Sequence, residues 1–254
     1  GVTLGLRRMI RELREQNKRV FLVGLRTEAV GADATSIDEW ADALEVEAVV
    51  RFEPLATFMP PGYDHMPLGL PPVLEMLQWC VENEIDLVQA STPGPVGVAA
   101  LAVAKLLGMP IVGHYHTQVP EYAQRLLGDK TIAGVVRAFV SWFYGSLDRV
   151  IVPSRATAEN LVDMGLRPER LQVLPRGVDS ERFSPAHRNA RAWERYGLNG
   201  KTKLLYVGRV SKEKSLDCLV EAYQKLRADG VKVELAIVGD GPYRSQLKKK
   251  VNGT

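Results

Sequence analysis

Lys203-Leu-Leu-Tyr-Val-Gly-Arg-Val-Ser-Lys-Glu-Lys214 is the stretch on which the reading of this chain turns. Leu204 to Val207 are consecutive apolar β-formers ended by Gly208, the pattern of a buried parallel strand. A helical pattern follows from about Ser215. A strand, a glycine turn and a helix start with two cations make a natural anion site. The glycine admits close backbone approach, and the helix start offers free N–H groups and a positive dipole end. Arg209 can grip phosphate oxygens in a planar fork and Lys214 adds a point charge, so a diphosphate fits. The same residues also fit a solvated basic loop, and the loop alone does not separate the two.

The rest of the chain repeats that strand-then-helix rhythm. Helical spacing covers 2–16, 70–83, 96–107, 119–147 and 154–163, and strands are predicted at 20–23, 46–50, 86–89, 111–115, 149–152 and 171–174. Such alternation predicts a parallel sheet with helices on both faces. Residues 53–72 carry Pro54, Pro60, Pro61, Pro67, Pro71 and Pro72, which predicts a long functional loop rather than a helix or central strand. The alternation breaks at Pro175-Arg-Gly-Val-Asp179, and a polar stretch with a short helix follows (180–199). It restarts with 203–208, 215–229, 232–238 and 242–251. The expected division is therefore a first domain at 1–180 and the start of a second at 181–254. Two parallel strands do not make a stable independent sheet, so the second is expected to be incomplete or to lean on the first.

With 254 residues, 46% hydrophobic, the chain can bury one large core or two. A net charge of +3 gives no argument for nucleic acid. The charge is uneven: residues 200–254 hold 12 Lys and Arg against 6 Asp and Glu, on the side of the expected anion site. Cys80 and Cys218 form no metal or redox spacing, which points to a reduced, cytoplasmic compartment. The most apolar run, 95–113, is broken by Lys105 and Pro110 and is not expected to span a bilayer. Arg7, Arg8, Arg11 and Arg14 read as a solvated face of the first helix; the alternative is a surface helix drawn to anionic lipid, hence peripheral contact at the inner face of a membrane. The chain opens on Gly1-Val-Thr and closes on Asn252-Gly-Thr directly after a helix, so truncation at both ends is expected.

In open parallel sheets ligands sit beyond the carboxyl ends of strands. Four such places stand out. They are Gly113-His-Tyr-His-Thr-Gln118, Gly208-Arg209 to Lys214, Gly239-Asp240-Gly241-Pro242 and the crossover Gly177-Val178-Asp179. Each also has a bland explanation, a strand-end histidine or a plain turn. No Cys or carboxylate cluster joins His114 and His116, so no metal is expected.

Together, GHYHTQVPEY, VPSRATAENL, LPRGVDSERFSP, VGRVSKEKSLDCLVEAY and IVGDGPYRSQL resemble retaining glycosyltransferases of family 4. STPGPVGVAALAVAKLLGMPIVGHYHT resembles the branch with the sulfoquinovosyldiacylglycerol synthases. The resemblance covers nearly the whole chain. It implies an α/β GT-B fold, two Rossmann-like domains facing across a cleft that takes a nucleotide sugar. Arg209 and Lys214 match the cations on the donor diphosphate, and His116 matches the histidine that contacts the donor sugar. Gly1 matches the last glycine of the loop before the first helix. Gly208, Gly239, Asp240, Gly241 and Pro242 fall in the donor-side loops, with Gly177, Val178 and Asp179 at the cleft mouth. The family's first strand and its E-x7-E region are absent from these residues.

The implied activity is transfer of a hexose from a nucleoside diphosphate sugar to a hydroxyl acceptor, with retention and with neither metal nor cofactor. The branch resemblance points to a membrane lipid or a glycan as acceptor. One alternative is a non-catalytic nucleotide-sugar-binding module. A dinucleotide-dependent oxidoreductase is disfavoured, since no G-x-G-x-x-G follows a predicted strand.

Overall fold

The structure is a computed structural model that describes residues 2–26, 48–59, 67–115, 130–175, 177–198 and 202–252. The chain forms two compact units, Gly1–Gly177 and Val178–Thr254.

In the first unit, α1 (Val2–Glu15) leads into β1 (Phe21–Leu25), which pairs in parallel with β2 (Ala48–Phe52). A four-stranded parallel sheet follows in the order β5 (Val88–Ala90), β6 (Ile111–His114), β7 (Arg149–Val152) and β8 (Leu171–Val173). Its helices are α2 (Val73–Glu82), α3 (Pro95–Leu107), α4 (Lys130–Gly145) and α5 (Arg155–Asp163). The strands are short and rich in Val and Ile, which suits a sheet with helices against it. Helix α3 is apolar nearly all round because it serves two cores. Leu101 and Ala104 face the core of Ile111, Val140, Phe143, Leu147 and Val150, while Ala99 and Val103 face that of Phe52 and Met76. Gly97 lets the start of α3 close on the preceding loop, for a Cβ there would stand 2.0 Å from the Thr92 carbonyl oxygen.

The proline-rich stretch is not wholly a loop. Ala56–Phe58 (β3) and Leu68–Leu70 (β4) form an antiparallel ribbon. Both strands lie in proline-free intervals, where the backbone keeps the amides that a ladder requires. The short helix expected within 180–199 is instead three separate 3-10 turns, 185–187, 190–192 and 194–196. Asn189 caps the second of these and Gly197, at φ 71°, ends the third, so no turn propagates.

The second unit has β9 (Thr202–Val207) parallel to β10 (Val233–Val238), with α6 (Leu216–Ala228) and α7 (Arg244–Asn252). Both helices pack on the Tyr206 and Ile237 face, around Val210, Leu216, Val220, Tyr243 and Leu247. The strand expectation of burial on both faces does not hold there: Leu205 and Val207 are 52% and 69% exposed. Neither helix covers that side. Among the described residues, no helix is long and apolar enough to cross a membrane.

Candidate functional site

The two loops beyond β9 and β10 are stitched to each other by their backbones. The Gly208 amide donates to the Val238 carbonyl at 3.0 Å, and the Val210 amide to the Asp240 carbonyl at 2.8 Å. The Val210 carbonyl accepts from the Tyr243 amide at 3.0 Å. Such closeness dictates the glycines. A Cβ on Gly239 would stand 1.9 Å from the Gly208 oxygen, and one on Gly241 2.3 Å from the Val210 oxygen. Their φ angles, 150° and 155°, are also ones that other residues rarely adopt. These glycines thus have a structural duty, backbone against backbone, independent of any ligand. The Tyr206 ring lies over Gly208 and its hydroxyl donates to the Arg209 carbonyl at 2.9 Å.

Side chains along the loop divide by burial. Val210 and Ser211 are buried at 2% and 3%, whereas Arg209, Lys212 and Lys214 are exposed. Val210 anchors the loop in the core, which fixes where Arg209 leaves it. Lys212–Lys214 form a single 3-10 turn, and Ser215 takes a left-handed conformation (φ 52°) as α6 begins. Ser215 gives no side-chain cap to the first amides of α6. Among the described residues no carboxylate pairs with Arg209 or Lys214. Two cations and an uncapped helix start after a strand can receive an anion with several oxygens.

Two carboxylates of the second unit, Asp240 and Asp217, are occupied. Asp240 accepts from the Gly241 amide at 2.8 Å and from Arg244 at 3.1 Å. Asp217, in the first turn of α6, accepts from the Tyr243 hydroxyl at 2.8 Å and from Lys250 at 2.6 Å. The bond from Lys250 and then that from Tyr243 hold the Asp217 carboxyl below its ordinary range. The same contact raises Lys250 and Tyr243 above theirs. Sequence reasoning passed over Tyr243, Asp217 and Lys250. A pairing across 33 positions leaves no local pattern to detect.

In the first unit, His114 ends β6. Gly113 is required there by packing, since a Cβ would stand 2.3 Å from Leu147 Cδ1. Tyr115 is buried edge-on against Tyr144, and the Tyr144 hydroxyl donates to the His114 carbonyl at 3.2 Å. Burial pushes the Tyr144 hydroxyl far above its ordinary range, with the neighbouring Tyr115 adding to the shift. His116 itself, like Gly1, lies outside the described residues. Ser154 of the VPSR motif caps α5, accepting from the Thr157 amide at 3.2 Å. Gly177, Val178 and Asp179 are exposed. Asp179 accepts from the Arg182 amide at 2.9 Å through its side chain, a turn-forming bond. Among the described residues no group of three or more His, Cys, Asp or Glu could hold a metal ion.

The chain matches the family Glycosyltransferase Family 4 over residues 1–182 and Glycosyl transferases group 1 over 193–253. It is 33% identical to the sulfoquinovosyl transferase SQD2 of Arabidopsis thaliana, over 78% of this chain and 38% of that protein. It is 35% identical to a GDP-mannose-dependent alpha-mannosyltransferase of Mycobacterium tuberculosis, over 78% of this chain and 50% of the relative. An alpha-monoglucosyldiacylglycerol synthase of Streptococcus pneumoniae is 25% identical over 98% of this chain and 55% of its own length. The chain spans about half the length of the curated relatives it matches. Among solved structures, Anabaena Alr3699/HepE in complex with UDP and glucose superposes with TM-score 0.67 at 20% identity, over the whole of this chain and 61% of the other. A glycosyltransferase from Rickettsia africae gives 0.66 at 15%, over the whole of this chain and 60% of the other. These likenesses establish the fold class as α/β GT-B with Rossmann-like parallel sheets.

Proposed function

This chain belongs to glycosyltransferase family 4, and we propose that the intact protein transfers a hexose from a nucleoside diphosphate sugar to a hydroxyl acceptor, with retention at the anomeric carbon. The observation that carries this reading is the loop beyond β9, where Arg209 and Lys214 stand exposed, with no carboxylate partner among the described residues, beside a helix start that Ser215 does not cap. In the reaction, negative charge builds on the bridging oxygen as the diphosphate departs. Arg209, Lys214 and the first amides of α6 take up that charge, an electrostatic contribution made where it develops. The stitched backbone of the two loops holds these groups in place before the reaction, so little reorganisation is required. In this proposal His116 orients the donor sugar, and Gly239, Asp240, Gly241 and Pro242 border the nucleotide. We extend the acceptor to a membrane lipid, because relatives include a glucosyldiacylglycerol synthase and a sulfoquinovosyl transferase. A lipid acceptor implies peripheral contact of the protein with a membrane surface.

The test is thermal-shift screening of the intact protein against UDP, GDP and ADP hexoses, followed by a transfer assay with diacylglycerol and glycolipid acceptors. A bound donor raises the apparent midpoint. Stabilisation by one donor with glycosylated product is the expected result. Binding without transfer or donor hydrolysis would instead make the protein a nucleotide-sugar-binding module. No stabilisation by any donor and no product would remove the assignment.

A further inference from the structure

Helix α7 gives a cation to each of two carboxylates at the carboxyl end of the second unit's sheet. Arg244 takes Asp240 at 3.1 Å, and Lys250 takes Asp217 at 2.6 Å. Tyr243, at the head of α7, adds its hydroxyl to both Asp217 oxygens at 2.8 Å. The loop cations Arg209 and Lys214 are left without a carboxylate among the described residues. Asp217 sits in the first turn of α6, three residues after Lys214. A carboxylate at that point works against any anion bound at the helix start, and it competes with the anion for the loop's cations. Lys212 adds the smallest of the contributions that hold the Asp217 carboxyl low, after those of Lys250 and Tyr243. The fold therefore has a reason to keep Asp217 engaged elsewhere.

We infer that Lys250 is a positioning residue of the proposed donor site: by occupying Asp217, with Tyr243, it keeps Arg209, Lys212 and Lys214 available for a diphosphate. This rests on the donor-site reading above. The pair Asp217–Lys250 carries no net charge, whereas Asp217 alone carries one negative charge beside the anion. Removal of Lys250 should thus do two things, repel the diphosphate and draw Lys212 or Lys214 towards Asp217. Removal of both partners should do neither. That balance separates charge sorting from simple structural support, because a clasp needed only for folding would be worse when both ends are lost.

The experiment measures inorganic pyrophosphate binding to the intact protein by calorimetry at low ionic strength, with the thermal midpoint recorded for every variant. Lys250→Met should weaken binding by about three- to five-fold, the scale of an exposed charge pair. Asp217→Asn/Lys250→Met should return it to the wild-type value, and Asp217→Asn alone should bind at least as tightly as wild type. Asparagine still accepts from Tyr243, so this variant decides the matter even if Lys250→Met lowers the midpoint. Unchanged binding in Lys250→Met, or a double variant as weak as Lys250→Met, would overturn the inference. Arg209→Ala separates this failure from that of its premise. If Arg209→Ala loses pyrophosphate while Lys250→Met keeps it, only the role of Lys250 falls. If Arg209→Ala binds as tightly as wild type, the donor site itself falls, and the role of Lys250 with it.

Discussion

The amide of Val210 donates to the carbonyl of Asp240 at 2.8 Å, and with the bonds from the Gly208 and Tyr243 amides it couples the two loops on which the proposed chemistry depends. Val210 is also 2% exposed and belongs to the core of the second unit. The loop that presents Arg209 is therefore anchored from below and from the side.

Gly241→Ala should destabilise that coupling. Its Cβ would meet the Val210 oxygen at 2.3 Å, and its nearest neighbours are backbone atoms that cannot swing aside. A loss of about 1–3 kcal/mol is expected from strain of this kind. Denaturant unfolding of the variant measures it, and a midpoint equal to wild type would contradict the close approach.

Lys214→Ala and Arg209→Ala should leave the fold intact, since both side chains are exposed and support no core contact. Transfer by the intact protein should fall by about 10²–10³ for each, the scale of losing one contact to developing charge. The decisive reading is kcat beside the thermal midpoint. Near-normal turnover by Lys214→Ala would remove it from the site.

Tyr144→Phe should lower stability by about 0.5–1.5 kcal/mol through loss of the bond to the His114 carbonyl. In the proposed reaction it should also slow transfer, because that bond steadies the backbone two residues before His116. Stability loss with unchanged kcat would confine Tyr144 to packing.

Acid should weaken the first unit through Asp148. Its carboxyl lies below the ordinary 3.8, chiefly because it accepts from the Ile111 amide, with Lys105 adding to the effect. A depressed folded value means the stabilisation is fully present above the unfolded value and is lost as pH falls towards the folded one. Thermal midpoints followed from pH 6 to pH 3 should drop below about pH 4. Asp148→Asn should begin lower and slope less; an equal slope would show that other carboxylates govern the acid limb.

Much of this was legible in the chain as written. Alternating β-formers and helical spacings gave the order of elements, because strand and helix periods are set by neighbours a few residues apart. The joint set GHYHTQVPEY, VPSRATAENL, LPRGVDSERFSP, VGRVSKEKSLDCLVEAY and IVGDGPYRSQL gave the family resemblance. The ribbon at 56–58 and 68–70 was hidden by the prolines around it. The open face of β9 was hidden because Leu205 and Val207 have the composition of a covered strand.

What the amino-acid order determined alone was the rhythm of the elements and the kinds of residues at strand ends. Tertiary structure decided what those residues do. Gly239 and Gly241 read as invitations to a phosphate, yet each is first required by a backbone from another loop. Asp217 and Lys250 stand 33 positions apart in the chain, and only the packing of α7 brings them to 2.6 Å. Periodicity is encoded locally, whereas such contacts depend on how distant segments pack, and no short window of sequence contains both partners.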